Sequence, residues 1–129
     1  MNVAEIVAAY AKENVELPFN IYLDLIPDAD EDSACVRHDS AAYAERRFTD
    51  GTRLVQVQLS IFIRCKDAKV ALESAKTVIE TLDGSRVDSG GTKIDLEALT
   101  LPQFVEVDAA GYTIYSATIT CTYYDDTAA

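Results

Sequence analysis

Between Arg53 and Gly84 the hydrophobic period changes once, and that change constrains the fold more than any other feature of the sequence. Val55, Val57, Leu59, Ile61, Ile63 and Cys65 fall at every second position, with mostly polar residues between them. This is the pattern of a strand with one buried face. After Lys66-Asp67, the residues Ala68, Ala71, Leu72, Ala75, Val78, Ile79 and Leu82 recur at three- and four-residue steps, the signature of an amphipathic helix. Asp67 stands where an N-cap belongs, and Gly84 suits the left-handed C′ position. A long strand followed at once by a helix can bury both apolar faces against each other. The stretch describes a core rather than a reaction centre.

At 129 residues the chain has room for one domain spanning residues 1–129. Its 49% apolar content is that of a globular protein. No apolar run approaches the ~20 residues needed to span a bilayer. Met1-Asn2-Val3-Ala4-Glu5 lacks the basic start and apolar core of a signal peptide, so synthesis and residence inside a cell are expected. A formal charge of −11 disfavours general affinity for nucleic acid or anionic membrane. Cys35, Cys65 and Cys121 form no Cys-x-x-Cys pair, and reduced core thiols are expected.

Either side of the central unit, local patterns outline the other elements. Asn2 and Glu5 form a capping box, and Val3, Ile6, Val7 and Tyr10 make an apolar stripe, which predicts a helix from residue 3 to about 13. Phe19, Ile21, Leu23 and Leu25 alternate with polar neighbours in a first strand that stops at Pro27. A short second strand is expected over Ala34–Asp39, followed by irregular or briefly helical chain over residues 40–52. Gly84–Thr92 reads as a mobile connector, Lys93–Leu101 as a strand, and Phe104–Val107 with Tyr112–Tyr124 as a hairpin about the turn Asp108-Ala109-Ala110-Gly111. Residues 125–129 should fray. The fold class is α+β: a largely antiparallel, twisted sheet with two helices packed on one face. The opposite face is polar but carries Phe62, Ile114 and Tyr124, enough to invite a partner.

Two charged features stand out. Asp28, Asp30 and Asp32, with Asp39 at the twelfth position, imitate a calcium-binding EF-hand loop. Ser33 replaces the glycine of the sharp turn, Cys35 replaces an aliphatic residue, and a strand ending in proline precedes the loop where a helix belongs. A solvated acidic turn is the reading favoured, with a calcium- or small-ligand-binding module as the alternative. Arg37, His38, Arg46, Arg47 and Arg53 gather positive charge within seventeen positions. Contact with an acidic neighbour or with DNA phosphate is one reading, and a loop paired with its own acidic turn the other.

No enzyme is identified. Cys35 and His38 are three apart on extended chain and point to opposite faces, which argues against a thiolate–imidazole dyad. The spacing of Cys35, His38, Cys65 and Cys121 gives no support for zinc. No cofactor or metal is expected.

Several stretches together resemble the small minor capsid or tail terminator (tail completion) proteins of long-tailed bacteriophages. They are Leu17-Pro18-Phe19-Asn20-Ile21-Tyr22 after a short helix, Pro27-Asp28-Ala29-Asp30, Thr49-Asp50-Gly51 leading into Val55–Leu59, Ile63–Asp67, the alanine-rich helix to Gly84, and Gly111 with Ser116–Tyr124. The resemblance lies in pattern and order, not in one diagnostic motif. It implies a fold similar to tail-tube subunits and a virion protein assembled in the bacterial host cytoplasm. It further implies a ring, typically of six, that caps the tail tube, stops its growth and offers a surface to the head connector, with DNA passing through unbound. Arg37, Arg46, Arg47, Arg53, Asp28, Asp30, Asp32, Phe62 and Tyr124 are the candidate interface residues.

Overall fold

The computed structural model describes residues 2–24 and 31–125, with the side chains at 40–45 and 125 left out. The expected strand end at Leu25 to Pro27, Asp28 and Asp30 of the acidic turn, and the fraying tail at 126–129 lie outside the described residues.

Helix α1 runs Val3–Asn14, and the Asn2 side chain accepts from the Glu5 N–H at 3.0 Å, the cap expected from the sequence. Strand β1 is Asn20–Leu23, β2 is Ser33–Arg47 and β3 is Arg53–Cys65. Helix α2 (Ala68–Leu82) follows, with Asp67 accepting from the Lys69 N–H at 2.9 Å and Gly84 taking φ +78° past the helix end. Strands β4 (Arg86–Ser89), β5 (Thr92–Ala98), β6 (Gln103–Val107) and β7 (Thr113–Asp125) complete the order. All join one sheet in the order β1-β2-β3-β7-β5-β4, with β6 also paired to β7.

Every pairing is antiparallel except β1 with β2. The alternating apolar residues of β3 face the helices, and all six from Val55 to Cys65 are buried. Ala117, Ile119 and Cys121 of β7 join them. Helix α2 lies over β3 and β7, and α1 over β1 and β2, so both helices cover one face.

Two expectations need correction. The chain at 40–47 is strand: β2 continues to Arg47, and its register with β3 shifts once, between His38 and Tyr43. A long β3 offers ladder hydrogen bonds along its whole length, and pairing overrides the low strand propensity of Ser40-Ala41-Ala42. The supposed connector Gly84–Thr92 also contains ordered structure. Arg86–Ser89 pairs with Thr92–Asp95, and the two-residue turn Gly90-Gly91 has φ of +59° and +89°. Two consecutive positive φ values are what a type I′ hairpin turn requires, and glycine adopts them without a Cβ clash.

Because β5 and β6 pair with successive halves of β7, the sheet has two bands. At the end where β2 turns into β3, the order is β2-β3-β7-β5-β4. At the end where β3 leads into α2, it is β1-β2-β3-β7-β6.

Candidate assembly surfaces

The face away from the helices holds the side chains the sequence marked as an invitation to partners. At the α2 end, Cys35 and Arg37 of β2, Phe62 of β3, Ile114 of β7 and Val105 and Glu106 of β6 line a shallow cavity of about 230 Å³, with Asp24 at its rim. The Arg37 guanidinium lies 4.5 Å from the centre of the Phe62 ring. This stacking half-buries a phenyl ring that strand alternation alone places in solvent.

The other arginines sit elsewhere. Arg46 and Arg47 pair with Leu54 and Arg53 beside the β2–β3 turn. Arg46 reaches over Phe48 at 5.9 Å, and Phe48 contacts Tyr124 with ring centres 6.2 Å apart. Phe62 is opposite Ser116 and Leu54 opposite Tyr124. Eight residues of strand therefore separate the two aromatic groups, about 26 Å. The structure divides the candidate arginines between the two ends of the sheet: Arg37 with Phe62 at one, and Arg46, Arg47 and Arg53 near Tyr124 at the other, where Arg46 shares the face of Tyr124 while Arg47 and Arg53 take the parity of the helix side. Of the acidic turn, the described Asp32 accepts from the Lys66 N–H at 2.9 Å, which ties it to the end of β3.

Arg64 is the residue that local pattern misses. It lies on the polar face of β3, yet only 4% of it is exposed. Its Nε donates to Asp108 Oδ2 at 2.7 Å, its Nη1 donates to the Glu31 carbonyl at 3.2 Å, and the guanidinium covers the Tyr112 ring at 3.8 Å. Asp108 Oδ1 also accepts from the Ala110 and Tyr112 N–H groups, both at 3.0 Å. Lys66 Nζ donates to the Ala110 carbonyl at 2.7 Å. The bond from Arg64, with the Tyr112 N–H, holds the Asp108 carboxyl below its ordinary pKa. Together these contacts pin the β6–β7 turn to the end of β3 and fix where β6 projects. The one available signal was a strand arginine and a turn aspartate 44 residues apart, and nothing in either segment links the two.

Cys65 and Cys121 face the helices, while Cys35 faces the other side. Burial pushes the Cys65 and Cys121 thiols up to about 12 and raises that of Cys35 against the opposing pull of Arg37. Among the described residues no three His, Cys, Asp or Glu side chains converge as a metal site would need. None of the described helices is long and apolar enough to cross a membrane.

The fold is shared with a chain of a solved particle. The structure superposes on a chain of the "Virion of native gene transfer agent (GTA) particle" with a TM-score of 0.57 at 14% identity, covering 93% of this chain and 85% of that one. A model of the bacteriophage tail terminator protein family matches residues 10–125. The chain belongs to that family. It is a structural, non-enzymatic component of a phage-type tail. No curated protein sequence matches it.

Proposed function

We propose that identical copies, six in number, close into a ring on the finished tail tube, stop its polymerisation and present a surface to the head connector. The family match across residues 10–125 carries this reading. Assembly takes place in the host cytoplasm, and the partners are the chain itself, the tail-tube protein and the connector. The charge of −11 suits a channel through which DNA slides without adhering.

The same charge opposes closure of the ring, because like-charged subunits repel. The Arg46, Arg47 and Arg53 end of the sheet offsets this where it meets the acidic stretch 28–32 of the next copy, with Arg37 and Phe62 contributing at the other end. Exposed ion pairs supply only about 0–1 kcal/mol each. The net repulsion acts over the whole subunit until screening shortens from about 30 Å at 0.01 M salt to about 10 Å at 0.1 M. Sedimentation velocity across that range is expected to show the ring gaining on free subunits as salt rises. The double change Arg46→Glu and Arg47→Glu should return it to monomer. Rings that dissociate on adding salt would mean that the arginine contacts dominate, and a monomer throughout would remove the preformed ring.

A further inference from the structure

The band at the α2 end of the sheet begins and ends in a strand with one unpaired side, and the two differ in a way that makes them complementary. Row by row, Ile21 stands beside Ala34, Ile63, Tyr115 and Phe104, while Asn20 stands beside Ser33, Arg64, Ile114 and Glu106. Strands β1 and β6 therefore lie at the same height, four and five residues long, and among the described residues each pairs on one side only. Their directions also match. With β3 taken as up, β2, β1 and β7 run down and β6 runs up. If the β6 of one copy is set beside the β1 of the next, with both sheets in the same orientation, the pairing is antiparallel.

The side chains mark β6 as an edge meant to be covered. All five of its residues are exposed, including Phe104 at 58%, Val105 at 46% and Val107 at 57%. The opposite treatment is seen at β4, whose outward side chains are charged and whose Arg86 is paired with Asp95 at 2.6 Å. Charge on a short edge strand is how a sheet discourages a further strand, and an apolar edge invites one. Phe104 and Val107 are opposite Tyr115 and Thr113, so they project on the helix side. On that same side, beside β1, a groove of about 300 Å³ is lined by Val15, Leu17, Phe19 and Ile21, with Lys12 and Asn20 at its margin. One edge offers an apolar knob, and the other offers a strand with a groove next to it whose lining mixes Leu17 and Phe19 with polar groups.

We infer that a second copy of this chain occupies the β6 edge. Its β1 adds antiparallel to β6, and Phe104 of the first copy enters the groove between α1 and β1 of the second. The contact is heterologous, head to tail, so repeating it closes a ring when the rotation per copy allows. The inference rests on the ring proposed above and seats its joint at the α2 end of the sheet, as an alternative to the arginine contact at the β2–β3 end, which lies about 26 Å away along the strands.

Two measurements separate the contact from the ring. Phe104→Lys places a charge on an exposed side chain, and the mass in solution is read by light scattering beside wild type, with circular dichroism and melting as checks on folding. The expected result is loss of the ring with the monomer's fold intact. Independently, Asn20→Cys with Glu106→Cys sets two exposed thiols in the same row of the sheet, and the buried native cysteines leave a low background with a short bismaleimide. A covalent ladder that stops at the ring size is expected from the double variant and only monomer from either single one. If Phe104→Lys fails to fold, the ladder alone decides. A ring that survives Phe104→Lys, with no ladder from the double variant, overturns the edge contact and leaves the ring standing. A wild type that is monomeric at the highest soluble concentration, with no ladder from the double variant, overturns both.

Discussion

Leu59→Ala is expected to destabilise the subunit by about 2–5 kcal/mol, because it deletes buried methyl groups at the centre of the sheet and leaves a cavity. Leu59 is wholly buried, with His38 beside it on β2 and Ile119 on β7. Helix α2 covers this region, and a rigid sheet on one side with a helix on the other allows little collapse into the space left. Ile61→Ala, two residues along the same face and 2% exposed, should behave alike. Gln56→Ala, on the exposed opposite face, should stay within about 0.5 kcal/mol. Urea unfolding of the three variants checks the assignment. A loss well below 1 kcal/mol at both Leu59 and Ile61 would place the core on the wrong side of β3.

The second large effect belongs to Arg64→Ala, expected to cost about 3 kcal/mol, since it removes charge-assisted hydrogen bonds from a buried position and leaves Asp108 without its counterion. Asp108 also gives the pair a pH dependence. Its carboxyl is held below the ordinary value chiefly by Arg64, so the folded state favours the ionised form. The stabilisation is complete above the unfolded pKa, near about 4. It is lost as pH falls through the depressed folded value. Wild type should therefore lose stability more steeply than Arg64→Ala between about pH 5 and pH 2. Asp108→Asn, which keeps an acceptor for the Ala110 and Tyr112 N–H groups, should flatten the same slope. Equal slopes in all three proteins would show that the pair carries no net electrostatic stabilisation. Because these contacts set the β6–β7 turn, Arg64→Ala should also loosen β6 ahead of the rest of the sheet, as read by amide exchange.

What the sequence made legible were the elements whose own residues determine them. Arg53–Cys65 and Ala68–Leu82 keep their expected bounds because alternation and helical spacing are properties of the segment itself. The strand at 40–47 was illegible for the converse reason: its alanines carry little preference, and its conformation is imposed by the length of β3. Ser89-Gly90-Gly91-Thr92 held a readable hairpin signal, a two-glycine turn between short alternating runs, which flanking polar residues masked. The parallel placement of β1 against β2 and the division of β7 between β5 and β6 are matters of topology, and no local period encodes them.

The candidate surfaces follow the same division. Residue type correctly suggested that Phe62 and Tyr124 share the face away from the helices, since strand parity decides that. Sequence proximity suggested that Arg37 and Arg46 form one cluster, whereas a strand rises about 3.3 Å per residue and carries them apart. Nothing in the segment around Arg64 announces that Asp108 and Tyr112 close over it. The exposed edge at Phe104 was visible only as a short apolar run, because whether a strand is an edge depends on which neighbours it lacks.

Tail length is the quantity that a capping ring controls, and electron microscopy measures it directly. The test removes this chain's gene from the phage-type element that encodes it, then compares the particles released with those from the parent and from a strain supplied with the gene in trans. Tails of uncontrolled and mostly excessive length, unattached to heads, are expected, with normal particles restored by the supplied copy. Tails of parental length joined to filled heads in the absence of this chain would contradict the capping role.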